Sequence, residues 1–232
     1  MNATRSSRRL PLWFKLAYTA FVAVLVPVYC YAYGPTNFLY YCDVALLMTC
    51  AALWLESPLL ASAPAVGILL PQALWMVDFL YRLLLQRPLT GMTDYMFRID
   101  GPWTLFVRFL SFFHFWLPIV LVYLVFRLGY DRRALPLWTV LAWALMLVCY
   151  FFMPPPEPNP GDKPVNINYV YGMDDTTAQK EMAAPAWLAL LMVALPVVIY
   201  LPTHLLLRWL CPAARTAAGP GAASAAPAEA VV

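Results

Sequence analysis

Charged residues are scarce in this sequence, and their scarcity excludes an ordinary soluble domain. Only 12% of the 232 residues are Asp, Glu, Lys or Arg, whereas 63% are hydrophobic, and the mean hydropathy is +0.68. A soluble domain is about half apolar and roughly a quarter charged. A core of this size cannot bury so much apolar surface, so a lipid bilayer is the expected solvent and membrane lipids are the expected partners.

Several functional signatures are also missing. The net charge is only +3, and no basic stretch is interleaved with aromatic residues, so no nucleic-acid partner is expected. The five cysteines form no C-x-x-C motif and lie in or beside apolar runs, which favours buried free thiols over a disulfide framework. The chain has only two histidines and no P-loop, GxSxG, HExxH or glycine-rich phosphate motif. We therefore expect neither a metal nor a cofactor.

What the sequence does contain is long hydrophobic runs. A helix that crosses the ~30 Å of hydrocarbon needs about 20 apolar residues, and the runs predict an all-α, six-helix transmembrane bundle. The first run follows a basic segment like a signal peptide, but "CYAYGPTN" offers no small-x-small cleavage site, which favours an uncleaved helix. The predicted spans are roughly 11–32, 38–56, 63–83, 106–127, 136–153 and 185–209.

The distribution of Lys and Arg predicts the orientation of the bundle. The N-terminal side, the turn after the fourth span and the C-terminal side hold 9 of the 15 basic residues. The loop 154–184, on the opposite side, is net acidic. Because cytoplasmic loops are enriched in Lys and Arg, both termini are expected in the cytoplasm. Arg87 and Arg98 in the loop 84–101 run against this assignment.

The segments outside the spans differ in composition. Residues 1–10 are expected to be a cytoplasmic tail, and the Ala/Gly/Pro-rich residues 210–232 a disordered one. The Ala-rich composition suggests a GC-rich bacterial genome, hence a bacterial inner membrane. The loop 154–184 begins stiffly with "PPPEPNPGDKP" and continues with "VNINYVYGM". It is either a lid on the bundle, with Asn168 and Tyr169 as candidate substrate-binding residues, or a solvated connector.

Ionisable residues inside the spans are the main functional cue, since they are costly there and tend to face the bundle interior and to pair. With the predicted orientation, Asp43, Asp78, Arg82 and His114 all fall in the outer half of the bundle, and Glu56 marks the inner end. Asp78 and Arg82 are four residues apart and therefore on one helix face. They are expected to pair, either structurally or as substrate-binding residues. The sequence thus predicts one polar cluster shared by the second, third and fourth spans.

Two functions fit such a cluster. In a membrane-embedded enzyme acting on a lipid ester or acyl chain, His114 would be the general base and Asp43 would orient it or hold the polar end of the substrate. Thr36, Tyr40 or Cys42 would then be the nucleophile. Alternatively, the same cluster would recognise a polar head group or relay protons in a binding or transport protein. A membrane subunit that scaffolds a partner is a third reading.

Short motifs carry a resemblance. "YGPTNFLYYCDVALL" and "HFWLPIVL" resemble the androgen-induced-gene family of multi-pass membrane hydrolases, which act on fatty-acid esters of hydroxy fatty acids. The resemblance implies a catalytic Thr–His pair, with the histidine at His114 and the threonine position occupied by Tyr40, so the family's nucleophile is not retained. Asn168-Tyr169-Val170-Tyr171 is similar to an element of the bacterial YwaF-like membrane proteins. These matches cover about 30 of the 232 residues.

Overall fold

The computed structural model describes residues 10–97, 104–156, 164–174 and 177–214, and this part of the chain is all-α, as predicted. Its one extended pairing is an isolated bridge between Tyr130 and Ala213. Short 3₁₀ turns lie at Pro35–Leu39, Asp94–Phe97 and Ile167–Tyr169. The α-helices are α1 (Leu12–Ala32), α2 (Tyr41–Leu55), α3 (Pro58–Leu85), α4 (Leu105–Leu110), α5 (Phe113–Leu128), α6 (Ala134–Phe152), α7 (Ala184–Ala194) and α8 (Leu201–Leu210).

Five helical segments in the described residues are long and apolar enough to cross a membrane, so this is a multi-pass membrane protein. They are Leu12–Ala32, Pro58–Leu85, Leu105–Leu128, Ala134–Phe152 and Ala184–Leu210. The predicted second span, 38–56, is divided between a 3₁₀ turn and α2. Since α2 has 15 residues, it is only about 22 Å long at 1.5 Å per residue.

Helix α3 is the centre of the bundle and packs against α2, α5, α6 and α8. It begins with Pro58 at its first position and with Ser57 as a cap, whose hydroxyl accepts a hydrogen bond from the Leu60 N–H at 3.3 Å. Small residues let neighbouring helices approach closely. At Gly67, an added Cβ would lie 1.8 Å from the Trp138 ring, so α6 packs directly on the α3 backbone.

Two of the long helices are interrupted. The fourth predicted span bends at Ser111–Phe112, between α4 and α5. The last helix contains a π-helical segment at Leu195–Tyr200, between α7 and α8, in which the Leu201 N–H donates to the Pro196 carbonyl. Proline has no N–H and clashes with the preceding turn, and a wider π turn is one way to accommodate it.

The last helix is the most exposed of the long ones. Only 11% of its apolar window is buried inside the protein, against 56% for α3. Its exposed residues include Val193, Val197, Leu205 and Trp209. A broad apolar surface of this kind suits contact with lipid chains.

The predicted tails lie mainly outside the described residues, because 1–9 and 215–232 are not described. Of the predicted loop 154–184, the structure describes residues 154–156, 164–174 and 177–184.

Candidate functional site

Asp43 lies in the first turn of α2 and is only 2% exposed. Gly34 has φ of +83° and turns the chain out of α1. The 3₁₀ turn that follows places Asn37 next to Asp43. The Asn37 Nδ2 donates a hydrogen bond to Asp43 Oδ2 at 3.0 Å, and the Cys42 thiol donates weakly to the same oxygen at 3.8 Å. Asp43 Oδ1 is buried and has no hydrogen-bond partner. One carboxylate oxygen is therefore satisfied and the other is not.

Two tyrosines lie within electrostatic range of this carboxylate. Tyr29, on α1, shares a 2.7 Å hydrogen bond with the Ser111 hydroxyl at the bend between α4 and α5. Asp43 lies within electrostatic range of Tyr29 and of Tyr33, one turn further along α1. We call the side chains of Tyr29, Asn37, Cys42, Asp43 and Ser111 the Asp43 centre. Its members come from helices that are distant in sequence, and Tyr29 was not among the residues that the sequence indicated.

His114 adjoins the Asp43 centre through Ser111. Its Nδ1 lies 2.7 Å from the Ser111 carbonyl oxygen, and its ring stacks on Trp75 with the centroids 4.7 Å apart. A carbonyl oxygen can only accept a hydrogen bond, so Nδ1 carries the hydrogen and the lone pair of the neutral ring is on Nε2. This arrangement fixes the ring with a basic nitrogen directed away from Ser111. His114 contacts Ser111, which bonds to Tyr29, and Tyr29 lies within electrostatic range of Asp43.

In the part of the chain that the structure describes, no basic side chain neutralises Asp43. Among the described residues, three ion pairs form: Lys15–Glu56 at 2.7 Å, Arg82–Asp94 at 2.7 Å and Arg133–Asp131 at 2.8 Å. Asp43 belongs to none of them. Within these ranges, the carboxylate therefore has one amide donor, one weak thiol donor and no basic partner.

The predicted Asp78–Arg82 pair does not form. Asp78 is fully buried and accepts hydrogen bonds from Thr90 N at 2.6 Å, Thr90 Oγ1 at 2.9 Å, Thr93 N at 3.0 Å and Thr93 Oγ1 at 2.5 Å. Arg82 instead pairs with Asp94. The loop after α3 folds back and supplies better partners to both residues than the helix face does. Both side chains anchor that loop.

Asn168 and Tyr169 lie against the bundle. Asn168 is buried, in a left-handed conformation with φ of 58°. Its Oδ1 accepts from the Tyr41 N–H at 3.2 Å, and its Nδ2 donates to the Leu39 carbonyl at 2.9 Å. The Tyr169 carbonyl accepts from Trp187 Nε1 at 3.0 Å. Asn168 therefore caps the start of α2, where Tyr40 provides no side-chain cap, and residues 164–174 contact the bundle instead of standing away from it.

The three candidate nucleophiles occupy different surroundings. Thr36 lies in the 3₁₀ turn before α2. Tyr40 packs with a cluster that includes Cys149 of α6 and Ile167, whereas the His114 ring rests on Trp75 of α3. Cys42 donates to Asp43, so it is the candidate that belongs to the Asp43 centre.

Within the described residues, the Asp43 centre contains no metal cluster and lies apart from the apolar groove on α1 and α5. No group of three or more His, Cys, Asp or Glu residues suited to a metal is found in the described part of the chain. A groove of about 220 Å³ lies on the surface of α1 and α5 and is lined by Phe14, Ala17, Tyr18, Phe21, Trp116 and Val120. It is apolar and separate from the Asp43 centre.

Comparison with known proteins gives this site no family. No family model matches the chain, and neither a curated protein nor a solved structure matches it. The resemblances to the androgen-induced-gene and YwaF-like proteins rest on their short motifs alone.

Proposed function

We propose that this is a six-span membrane protein of binding or transport type, with both termini in the cytoplasm. In this proposal, Asp43 holds a proton or the cationic group of a ligand in the outer half of the bundle. The bacterial inner membrane is the proposed location, on the composition of the tail.

The course of α2 beside α1 supports the sixth span. Lys15, near the start of α1, bonds to Glu56 at the end of α2. Tyr29, near the end of α1, is within electrostatic range of Asp43 at the start of α2. The two helices therefore run antiparallel over most of the depth of α1, which is long enough to cross a membrane. A helix shorter than the hydrocarbon is accommodated by local thinning of the bilayer or by flanking residues.

The observation that carries the binding function is the unsatisfied Oδ1 of Asp43. A buried ionised carboxylate without a partner is very unfavourable, and such groups either take a proton or bind a positive charge. The ring faces and hydroxyl groups of the nearby tyrosines also interact with cations. The Asp43 centre thus has the chemistry of a cation or proton site, and its other polar groups are already bonded to one another.

Infrared difference spectroscopy of the purified protein tests this function. The carboxyl band of Asp43 is identified by its loss in Asp43→Asn, and it is followed as pH, Na⁺, K⁺ or tetramethylammonium is varied. We expect the band to respond to pH or to one of these cations, and Asp94→Asn to leave that response intact, since Asp94 is paired with Arg82 outside the centre. A band that ignores both pH and cations would exclude the proposal.

A lipid-ester hydrolase is the second candidate, favoured by the fixed ring of His114. A histidine whose Nδ1 is held by a carbonyl presents Nε2 as a general base. A lipid-like fluorophosphonate, applied to the wild type and to His114→Ala, tests this function. The hydrolase requires labelling that depends on His114 and maps to Thr36, Tyr40 or Cys42. Absence of labelling in folded wild-type protein would reject it.

A further inference from the structure

Backbone hydrogen bonds join the turn between α5 and α6 to the residues that follow α8. The Tyr130 N–H donates to the Pro212 carbonyl at 2.7 Å, and the Ala214 N–H donates to the Tyr130 carbonyl at 3.0 Å. Gly129 has φ of +91°, and an added Cβ there would lie 2.6 Å from the Cα of Ala214. The two backbones therefore touch, and their relative position is fixed.

Hydrogen bonds that involve side chains also connect this turn to α8 and to α3. The Tyr130 hydroxyl and the Nδ1 of the buried His204, on α8, are 2.7 Å apart. The Asp131 N–H donates to the Ser62 hydroxyl of α3 at 3.0 Å. We call residues Gly129–Arg133 together with His204–Ala214 the basic platform. Hydrogen bonds to α3 and α8 therefore set the position of the turn that carries Arg132.

The basic platform carries positive charge that no acid among residues 10–97, 104–156, 164–174 and 177–214 neutralises. Its one acid, Asp131, accepts hydrogen bonds from the Arg133 guanidinium at 2.8 and 3.1 Å. Arg132 and Arg208 are exposed, and neither forms an ion pair with any described residue. Both lie within electrostatic range of His204, which bonds to Tyr130. Two arginines thus lie near the same buried side chain, and neither is paired with an acid in the described part of the chain.

The surface beside these arginines is apolar and suited to lipid chains. Trp209, next to Arg208, is 81% exposed, and Leu205 and Leu210 are also exposed. Tryptophan favours the membrane interface, and basic sites between helices at the cytoplasmic side bind anionic head groups. A soluble anion would use the charges but would leave this apolar face uncovered, whereas a phospholipid covers both.

We propose that the basic platform binds the head group of an anionic phospholipid between Arg132 and Arg208, with the acyl chains along α8. The guanidinium groups would donate hydrogen bonds to the phosphate oxygens, which is the geometry that arginine favours. This site is independent of the Asp43 centre, which lies at the opposite end of the bundle.

Native mass spectrometry of the full chain in detergent tests the site, with phosphatidylglycerol and phosphatidylcholine as probes. We expect phosphatidylglycerol to bind more tightly. Arg132→Gln and Arg208→Gln should each weaken its binding about fivefold, from the attraction of a basic residue to an anionic membrane surface. Arg87→Gln is the matched control, because Arg87 is exposed at the other end of the bundle, over the Tyr81 ring, and it should change nothing.

Three results would overturn the proposal. The first is equal binding of the two lipids, and the second is an equal loss of phosphatidylglycerol binding in Arg87→Gln. The third is displacement of phosphatidylglycerol by the same concentration of inorganic phosphate, which would make this a site for the free anion. Arg132→Lys and Arg208→Lys keep the charge and should retain most of the binding. They preserve the test if a Gln variant fails to fold, and loss of phosphatidylglycerol binding in folded Lys variants would also count against the proposal.

Discussion

Asp43 and Asp78 are the same residue type at the same end of the bundle, and both are buried, but their surroundings differ. Asp78 accepts four hydrogen bonds, two on each oxygen, from the loop that follows its helix. Asp43 accepts one bond from Asn37 and a weak one from Cys42, and its Oδ1 accepts none. Buried polar groups are normally satisfied, and an exception calls for an explanation. Burial alone therefore does not separate these two carboxylates, whereas the missing partner of Asp43 Oδ1 does.

The difference arises from what the chain does next to each residue. Asp78 lies near the end of α3, where Gln86 adopts a left-handed conformation with φ of 55° and the chain turns back. Thr90 and Thr93 then present both their N–H and hydroxyl groups to the carboxylate. Asp43 lies at the start of α2, where the cap comes from Asn168 and is directed at the backbone instead. Both oxygens of Asp78 are thus bonded to the following loop, whereas one oxygen of Asp43 has no donor.

The largest effect is expected from Asp78→Asn. The amide nitrogen would face the Thr90 or Thr93 donors in place of an acceptor, and the loop would lose charge-assisted hydrogen bonds. We expect a loss of about 3 kcal/mol of stability, measured as a lower thermal unfolding temperature in detergent. Asp94→Asn, which breaks a partly exposed ion pair, should cost much less. Unfolding at the wild-type temperature would contradict the structural role of Asp78.

Asn168→Ala should have the next largest effect. It removes the acceptor for the Tyr41 N–H and the donor to the Leu39 carbonyl, so the start of α2 loses its cap. A lost cap and one unsatisfied group cost about 2 kcal/mol together. Faster amide hydrogen exchange over 41–44 would report the fraying. Asn168→Asp keeps the acceptor only, so its exchange should be intermediate; exchange as slow as in the wild type would contradict the capping role.

Asp43→Asn should change stability little, and this is the variant that tests the comparison most directly. Asparagine has the same shape, and its oxygen can still accept from Asn37 Nδ2. Because no basic partner among the described residues is left unpaired, we expect a change within about 1 kcal/mol of zero, with stabilisation as the favoured direction. Thermal unfolding of Asp43→Asn and Asp78→Asn side by side is the measurement. Equal losses in both variants would remove the distinction between the two carboxylates.

The smallest effect concerns Asp131, a third aspartate, on the turn between α5 and α6. Hydrogen bonds and charge from the Arg133 guanidinium lower the pKa of Asp131. A lowered pKa contributes stability that is present above the ordinary value of about 3.9 and is lost as pH falls through the folded-state value. Arg133→Gln should therefore lower the unfolding temperature slightly at neutral pH, and the difference should vanish in acid. A difference that grew on acidification would contradict this assignment.

The sequence predicted the all-α class and the long apolar helices, because hydropathy reports directly on the length of apolar segments. It misjudged Asp78 and Arg82, since helix spacing was the visible pattern while the true partners lie in a loop with no periodicity. The link from Tyr29 to Ser111 spans 82 residues and the link from Asn168 to Tyr41 spans 127. Such contacts depend on how the helices pack. For the surroundings of Asp43, the sequence offered only the spacing of Tyr29 and Tyr33, which are four residues apart near the end of α1.

The π-helical segment Leu195–Tyr200 determines where the length of the last helix can change. A π turn holds about one residue more than an α turn. Deleting one residue there would turn the π turn into an α turn and would leave the later residues on the same faces of the helix, so His204 would stay beside Tyr130. Deleting one residue from the regular part of α7 would instead rotate every later residue by about 100° and move Arg208 to another face. We therefore expect the last helix to accept a change in length at Leu195–Tyr200 more readily than in α7 or α8.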